Sequence, residues 1–154
     1  MENNDIIRRL RYAFSFNDSN MLEIFELSGY SATRSQISNW LKKDIDPDWV
    51  KLPDFFLSAF LNGLIIQNRG KKEGAHPIPE KHLNNNIIFR KLKIALHLKD
   101  EDVLEILKLA SFNLSKHELS AFFRKPNQSQ YRECKDQVLR NFLKGMQIKY
   151  REGK

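Results

Sequence analysis

The strongest constraint on what this chain can fold into is an internal duplication. When the sequence is aligned with itself at an offset of 82 residues, positions 4–71 match positions 86–153 without a gap, and 19 of the 68 aligned pairs are identical. Ordinary composition alone would give roughly one identity in fifteen pairs. The chain therefore contains two copies of one unit, and an element predicted in one copy is expected again in the other.

Both copies carry apolar residues at the period of an amphipathic α-helix, and neither has an apolar–polar alternation long enough to indicate a strand. Asn4 is a candidate N-cap for the first helix, and Gly29 stands where a helix would end on a left-handed residue. The spacing Thr33-x-x-Gln36 is a capping box that opens a third helix, and it recurs in the second copy. The predicted helices cover about residues 4–16 and 19–28, a third from Thr33, and 53–68, with equivalents that include 86–98 and 135–150.

The fold class predicted from these patterns is all-α, with two tandem four-helix repeats packed as one compact helical unit. We place helical repeat 1 at residues 1–71, a connector with Gly, Pro and mixed charge at 72–83, and the basic helical repeat 2 at 84–154. Helix 53–68 is apolar on almost every side, so it should lie centrally. Its neighbour is either the second repeat or a second subunit, and the latter would make the chain a homo-oligomer through helix 53–68.

The excess positive charge lies in the second repeat. Residues 1–71 hold nine Lys/Arg and nine Asp/Glu, whereas residues 84–154 hold fifteen and eight. Arg140, Lys144, Gln147 and Arg151 follow the spacing i, i+4, i+7 and i+11, which lines one face of a helix. This basic stripe could hold phosphate groups of nucleic acid, although a solvated surface helix has the same pattern. Three further cations of the second repeat could extend it: Lys116, Arg124 and Lys125.

The sequence shows no catalytic or metal-binding motif. The four histidines do not pair at helical spacing, and HExxH, CxxC and a Gly-rich phosphate loop are absent. Cys134 is flanked by Arg132 and Lys135, which could lower its thiol pKa, but its repeat equivalent is Leu52. We therefore interpret Cys134 as a small core residue, and we predict a protein that is not an enzyme and has no cofactor and no metal.

Several charged residues are identical in the two copies: Arg8/Arg90, Glu23/Glu105, Asp54/Asp136 and Arg69/Arg151. They form either two copies of a polar site or the caps and inter-helix contacts that the fold itself needs, and we favour the structural interpretation. An enzyme site between the repeats, lined by residues such as Glu23, Arg90 and Glu105, is the least favoured hypothesis.

Residues 23–43 have the outline of a DNA-binding helix-turn-helix, with a glycine in the turn and a capped second helix. The apolar anchors Ile37 and Trp40 fall about two residues later than the short turn of that motif requires. Because Ser111 replaces the glycine in the second copy, we do not favour this interpretation.

Three stretches resemble the YehS-type family of bacterial proteins. The first is the opening NN-x-I-[IF]-R-[RK]-L-[RK] of both copies, and the second is LNGLI from Leu61 to Ile65, followed by Gly70-Lys71. The third is REC-x-DQ-x-LR-x-FL-x-G from Arg132 to Gly145. The resemblance covers nearly the whole chain and implies a duplicated helical protein of the bacterial cytoplasm, without an activity or a site to transfer.

The residues thus predict a non-catalytic cytoplasmic protein whose second repeat binds an anionic partner such as nucleic acid. The alternative is a protein–protein interaction or self-associating adaptor module. No membrane association is expected, because the chain begins without an apolar signal segment and its longest apolar stretch, residues 55–66, is too short to span a bilayer.

Overall fold

A computed structural model describes residues 1–71 and 77–153 of the chain, and all regular secondary structure in those ranges is helical. The predicted all-α fold with two four-helix repeats is confirmed. Residues 72–76 of the predicted connector, which include His76, lie outside the described residues. The helices are α1 (Asn3–Phe14), α2 (Asp18–Leu27), α3 (Arg34–Leu41), α4 (Asp54–Arg69), α5 (Asn85–Ala95), α6 (Asp100–Leu109), α7 (Lys116–Phe122) and α8 (Asp136–Gln147).

Two of the predicted signals for helix ends, the capping box and the left-handed Gly29, are confirmed. The Thr33 hydroxyl accepts a hydrogen bond from the Gln36 backbone N–H at 3.1 Å, and the Gln36 side chain accepts one from the Thr33 N–H at 2.9 Å. The second copy repeats this capping box at Ser115. Gly29 is left-handed with φ of 83°, and Ser111 takes the same conformation without being glycine.

The prediction that Asn4 caps α1 is wrong, because the Asn4 side chain points into the protein. Its amide donates to the carbonyls of Trp40 and Val50, at 3.0 and 2.8 Å, and its oxygen accepts from the Leu52 N–H at 3.0 Å. An amide side chain suits this position because it supplies two N–H donors and a carbonyl acceptor together. Asn86 makes the same three contacts in the second copy. These asparagines fasten the loop before the fourth helix of each repeat to that repeat's first helix.

Helices α1, α4, α5 and α8 form the centre of the molecule. There the fourth helix of each repeat packs on the first helix of the other repeat. Within the repeats α2 packs on α4 and α6 on α8, whereas between the repeats α4 packs on α5 and α8 on α1. The start of α4 lies beside the starts of α1 and α5, since Asp54 accepts from the Asn3 amide at 2.6 Å and from the Leu83 N–H at 2.8 Å. The fourth helix of each repeat therefore runs alongside, and parallel to, the first helix of the other.

Helix α4 occupies the central position predicted for helix 53–68. Every residue from Leu57 to Leu64 is buried, and the cover comes from α2 and α5 of the same chain. Its apolar character is thus explained by the second repeat, and it requires no second subunit. No helix within the described residues has the length and apolar character that crossing a membrane demands.

Helices α2 and α4 approach each other closely at Gly63 of α4. A Cβ atom built on Gly63 would lie 1.9 Å from the Ile24 carbonyl oxygen of α2. At the equivalent Gly145 of α8, the Cβ would lie 2.0 Å from the Ile106 carbonyl oxygen. Only a residue without a side chain allows the backbones to pack this closely.

Candidate anion-binding site

The predicted basic stripe is divided by a change in helix type. Arg140 and Lys144 are exposed on α8, but this α-helix ends at Gln147 and continues as a π-helical turn, Ile148–Glu152. A π turn has more residues per turn than an α-helix, so the spacing from Arg140 to Arg151 is not that of one continuous α-helix. The prediction of one α-helix over 135–150 is corrected in the same way.

Arg151 instead folds onto the end of α1. Its guanidinium donates to the Tyr12 carbonyl at 2.7 Å and lies over the Tyr12 ring, 3.7 Å from the ring centre. Cations are favoured at the C-terminal end of a helix, where carbonyl groups lack partners within the helix. Arg151 therefore has a structural role in joining the repeats, which was the interpretation favoured for the repeated charges.

Arg151 also lies in an open cleft with three arginines of α1. The cleft has a volume of about 880 Å³, and its wall includes Arg8, Arg9, Arg11 and Arg151. Two carboxylates lie nearby: Asp5 lines the cleft, and Asp18 forms an ion pair with Arg11 at 3.2 Å. We call this the arginine cleft. It combines cations from both repeats, so neither half of the sequence shows it alone.

A second, smaller cleft stands at the equivalent position between α4 and α5. Its volume is about 250 Å³, and Arg69, Arg90 and Lys93 replace Arg151, Arg8 and Arg11 of the arginine cleft. The internal contacts correspond as well. Arg69 donates to the Ile94 carbonyl at 3.2 Å, as Arg151 does to Tyr12, and Lys93 pairs with Asp100 as Arg11 does with Asp18. The duplication has thus produced two copies of one basic cleft.

The groove between α4 and α5, closer to the helix starts, is covered by the end of the connector. Glu80 accepts a hydrogen bond from the Ser58 hydroxyl at 2.5 Å and pairs with Lys91 at 3.1 Å. Burial raises the pKa of Glu80, but these two partners outweigh that effect and hold the pKa below its ordinary value. Ser58 and Asn62 are both buried beneath this segment.

The equivalent groove between α1 and α8 has a different surface. Arg140 stands at the position of Ser58, Lys144 at that of Asn62, and Arg9 at that of Lys91. Arg140 and Lys144 are exposed, and Arg9 is partly exposed. No hydrogen bond or ion pair to these three side chains occurs among residues 1–71 and 77–153. Two predicted site residues thus flank a groove that also includes a cation from the first repeat.

The other predicted cations lie apart from this surface. Lys116 pairs with Glu101 at 2.7 Å; this contact lowers the pKa of Glu101 and raises that of Lys116. Arg124 and Lys125 are exposed in the loop after α7 and directly follow Phe123, which lines the smaller cleft. In the described part of the chain, no hydrogen bond or ion pair joins these three cations to α8.

Sequence reasoning missed Arg9 and Arg11 as site residues, and it named Arg8 only among the repeated charges for which a structural role was favoured. The net charge of the first repeat is zero, and this average conceals a run of three arginines within four residues. Arg8 and Arg11 are three residues apart in α1 and therefore lie on one face. The RRLR run was the available signal, and its value depended on knowing that α8 packs beside α1.

The remaining candidate chemistry gives no second site. Cys134 is buried, and burial raises the pKa of its thiol to about 12, as expected for an unreactive core residue. Glu23 and Glu105 are exposed and line neither basic cleft, so they do not join Arg90. No group of three metal-ligating side chains occurs within the described residues. Six residues separate α2 from α3, which is longer than the turn of a helix-turn-helix.

Comparison with known proteins places the whole chain among proteins without an assigned activity. The family model described as "Protein of unknown function (DUF1456)" matches residues 3–70 and again residues 85–152. The Escherichia coli (strain K12) protein "Uncharacterized protein YehS" is 44% identical over 147 residues, which cover 95% of this chain and 94% of that protein. No solved structure matches the chain.

Proposed function

Because the chain belongs to the DUF1456 family of proteins of unknown function, we propose its function from the basic surface itself: it is a non-catalytic binding module that holds an anionic partner, with nucleic acid as the first candidate. The surface is the one shared by α1, α8 and the π turn, and we call it the α1–α8 face. It includes the arginine cleft together with Arg140 and Lys144.

The observation that carries this proposal is the convergence of four arginines from two repeats on one open cleft. A guanidinium offers donors in a planar fork that fits phosphate oxygens, and it keeps its charge at every physiological pH. The nearby carboxylates are Asp5, Asp18 and Asp136, the last of which lies one turn before Arg140 on α8. The face has six Lys and Arg side chains against these three, so cations are in excess. Contacts of this kind would bind the phosphate backbone without reading the base sequence.

The proposal is tested by a salt titration of binding to a short DNA duplex, with wild type compared against Arg8→Gln combined with Lys144→Gln. Arg8 and Lys144 are chosen in place of Arg151, because Arg151 also supports the packing of the π turn on α1. The logarithm of affinity should fall linearly with the logarithm of salt concentration, and the double variant should reduce that slope by about two, one unit for each phosphate contact.

Arg124→Gln combined with Lys125→Gln is the matched control, since it removes the same charge from exposed positions away from the α1–α8 face. Its slope should equal that of wild type. If the duplex does not bind at low salt, or if the control weakens binding as much as the double variant, nucleic acid is not the partner of this face.

A further inference from the structure

We infer that the groove between α1 and α8 binds an extended, acidic peptide segment of a partner protein, in the way that the equivalent groove between α4 and α5 binds the end of the connector. This inference rests on one part of the proposed function, namely that the α1–α8 face binds an anionic partner. It differs in naming a peptide, and not nucleic acid, as the occupant of the groove.

The first copy shows what the groove is shaped to hold. Residues 77–83 form no helix, and this segment contacts the parallel helices α4 and α5 through Glu80 and the Leu83 N–H, with Pro79 buried. The Glu80 carboxylate contacts both helices at once, through Ser58 of α4 and Lys91 of α5. The Glu80 N–H in turn donates to the Ser58 hydroxyl at 3.0 Å. A non-helical segment with one well-placed carboxylate is therefore the occupant of this groove in the molecule itself.

The register of the two grooves is the same. Asp54 at the start of α4 accepts from the Leu83 N–H, and the equivalent Asp136 at the start of α8 accepts from the Met1 amino group at 2.8 Å. Since Met1 is the repeat equivalent of Leu83, the stretch of groove beside the exposed Arg140 and Lys144 corresponds to the place of residues 79–82. A bound segment would run toward Met1, with its acidic side chain beside Arg140.

The differences between the grooves favour an occupant with more negative charge. Where the first copy has a serine, an asparagine and a lysine under Glu80, the second has Arg140, Lys144 and Arg9. Ser58 is 0% exposed and Asn62 is 5% exposed, whereas Arg140 and Lys144 are open to solvent. One carboxylate suits the first groove, and two or three suit the second.

The test uses a fluorescently labelled peptide with the sequence of residues 77–83 carrying Lys81→Glu and His82→Glu, and its binding to the full chain is followed by anisotropy. A control peptide carries Glu80→Gln, Lys81→Gln and His82→Gln. We expect the acidic peptide to bind and the control peptide to bind about tenfold more weakly or not at all, because charged hydrogen-bond partners dominate the contact.

The matched protein variant is Arg140→Ser with Lys144→Asn, which installs the residues of the first groove in the second. It should weaken the acidic peptide about tenfold, whereas Arg124→Gln with Lys125→Gln, an equal loss of charge, should leave it unchanged. Amide chemical shifts of the full chain should change along α1 and α8 and stay constant along α4. All four positions are exposed, so the variants should keep the fold.

Three outcomes are informative in different ways. The peptide inference is overturned if the Arg140→Ser, Lys144→Asn variant binds the acidic peptide as tightly as wild type. It is also overturned if the peptide changes the amide chemical shifts along α4. The peptide inference is also overturned if the acidic peptide does not bind while the affinity for duplex DNA depends on Lys144. That result would support the proposed function. If neither probe binds at low salt, both proposals are wrong.

Discussion

The contact of α2 with α4 at Gly63 gives the sharpest test of the fold. In a Gly63→Ala variant the new Cβ would lie 1.9 Å from the Ile24 carbonyl oxygen, and real Cβ atoms essentially never come closer than 3.0 Å to such an atom. The obstacle is backbone within a helix, so it cannot rotate aside as a side chain would. The two helices must therefore separate locally by about 1 Å, the difference between the two distances.

That separation would open the core between α2 and α4. Phe25 of α2 packs on Phe60 of α4 with ring centres 5.3 Å apart, and both rings are fully buried. Gaps of this size remove a quarter to a half of the dispersion energy of each affected contact. Overpacking of this kind costs roughly 3–4 kcal/mol, at or just above the usual range. Alanine returns about 1 kcal/mol because it favours helix more than glycine does.

The net loss of unfolding free energy is therefore about 2–3 kcal/mol, which lowers the melting temperature by roughly 4–12 °C for a chain of this length. Urea and thermal denaturation followed by circular dichroism would measure both quantities. Gly145→Ala should behave alike, since its Cβ would lie 2.0 Å from the Ile106 carbonyl. Gln67→Ala, one turn further along α4 and exposed, is the control and should stay within about 0.5 kcal/mol of wild type. An unchanged or raised melting temperature for Gly63→Ala would refute the close helix contact.

Three further predictions concern single side chains. Asn86→Ala should lower the unfolding free energy in a urea titration by about 3 kcal/mol, because two carbonyls and an N–H lose their shared buried partner. The control Asn113→Ala, at an exposed position, should have little effect in the same titration. Glu80→Gln should cost about 1 kcal/mol at pH 7. Since the folded state lowers the pKa of Glu80 from 4.5, that stabilisation is present above pH 4.5 and is lost as the pH falls below it. Denaturation of wild type and of the variant at several pH values would show the difference between them shrinking at acid pH. The Cys134 thiol, with a pKa raised to about 12, should react with a thiol reagent at pH 8 at least roughly 100-fold more slowly in the folded chain than in urea, and equal rates would contradict its burial.

Much of the local structure followed from the sequence because it depends on near neighbours. The Thr33 capping box and the left-handed Gly29 are interactions within four or five residues, so their spacing alone identifies them. The prediction that Asn4 caps α1 was wrong for the same reason. An asparagine near a helix start is usually a cap, and no nearby residue shows that its amide donates to carbonyls 36 and 46 residues away.

The candidate site was only partly predictable because it is made by contacts between the repeats. Helical periodicity shows which face of α8 is polar, but it does not show that α1 lies beside it. Arg140 and Lys144 could therefore be predicted as site residues from the sequence. Arg9 could be identified only once the packing of α8 on α1 was known. The π turn that contains Arg151 had no signal in the apolar pattern, since a wider turn preserves the residue types and changes only their angular spacing.

The crossed pairing of α4 with α5 and of α8 with α1 is the arrangement of a twofold symmetric dimer whose subunits have been joined head to tail. In such a dimer every substitution appears on both faces at once, so a groove cannot be closed on one side and left charged on the other. A single chain is free of that restriction. Ser58 and Arg140 stand at one ancestral position, and their difference is a broken symmetry that only a fused pair can sustain.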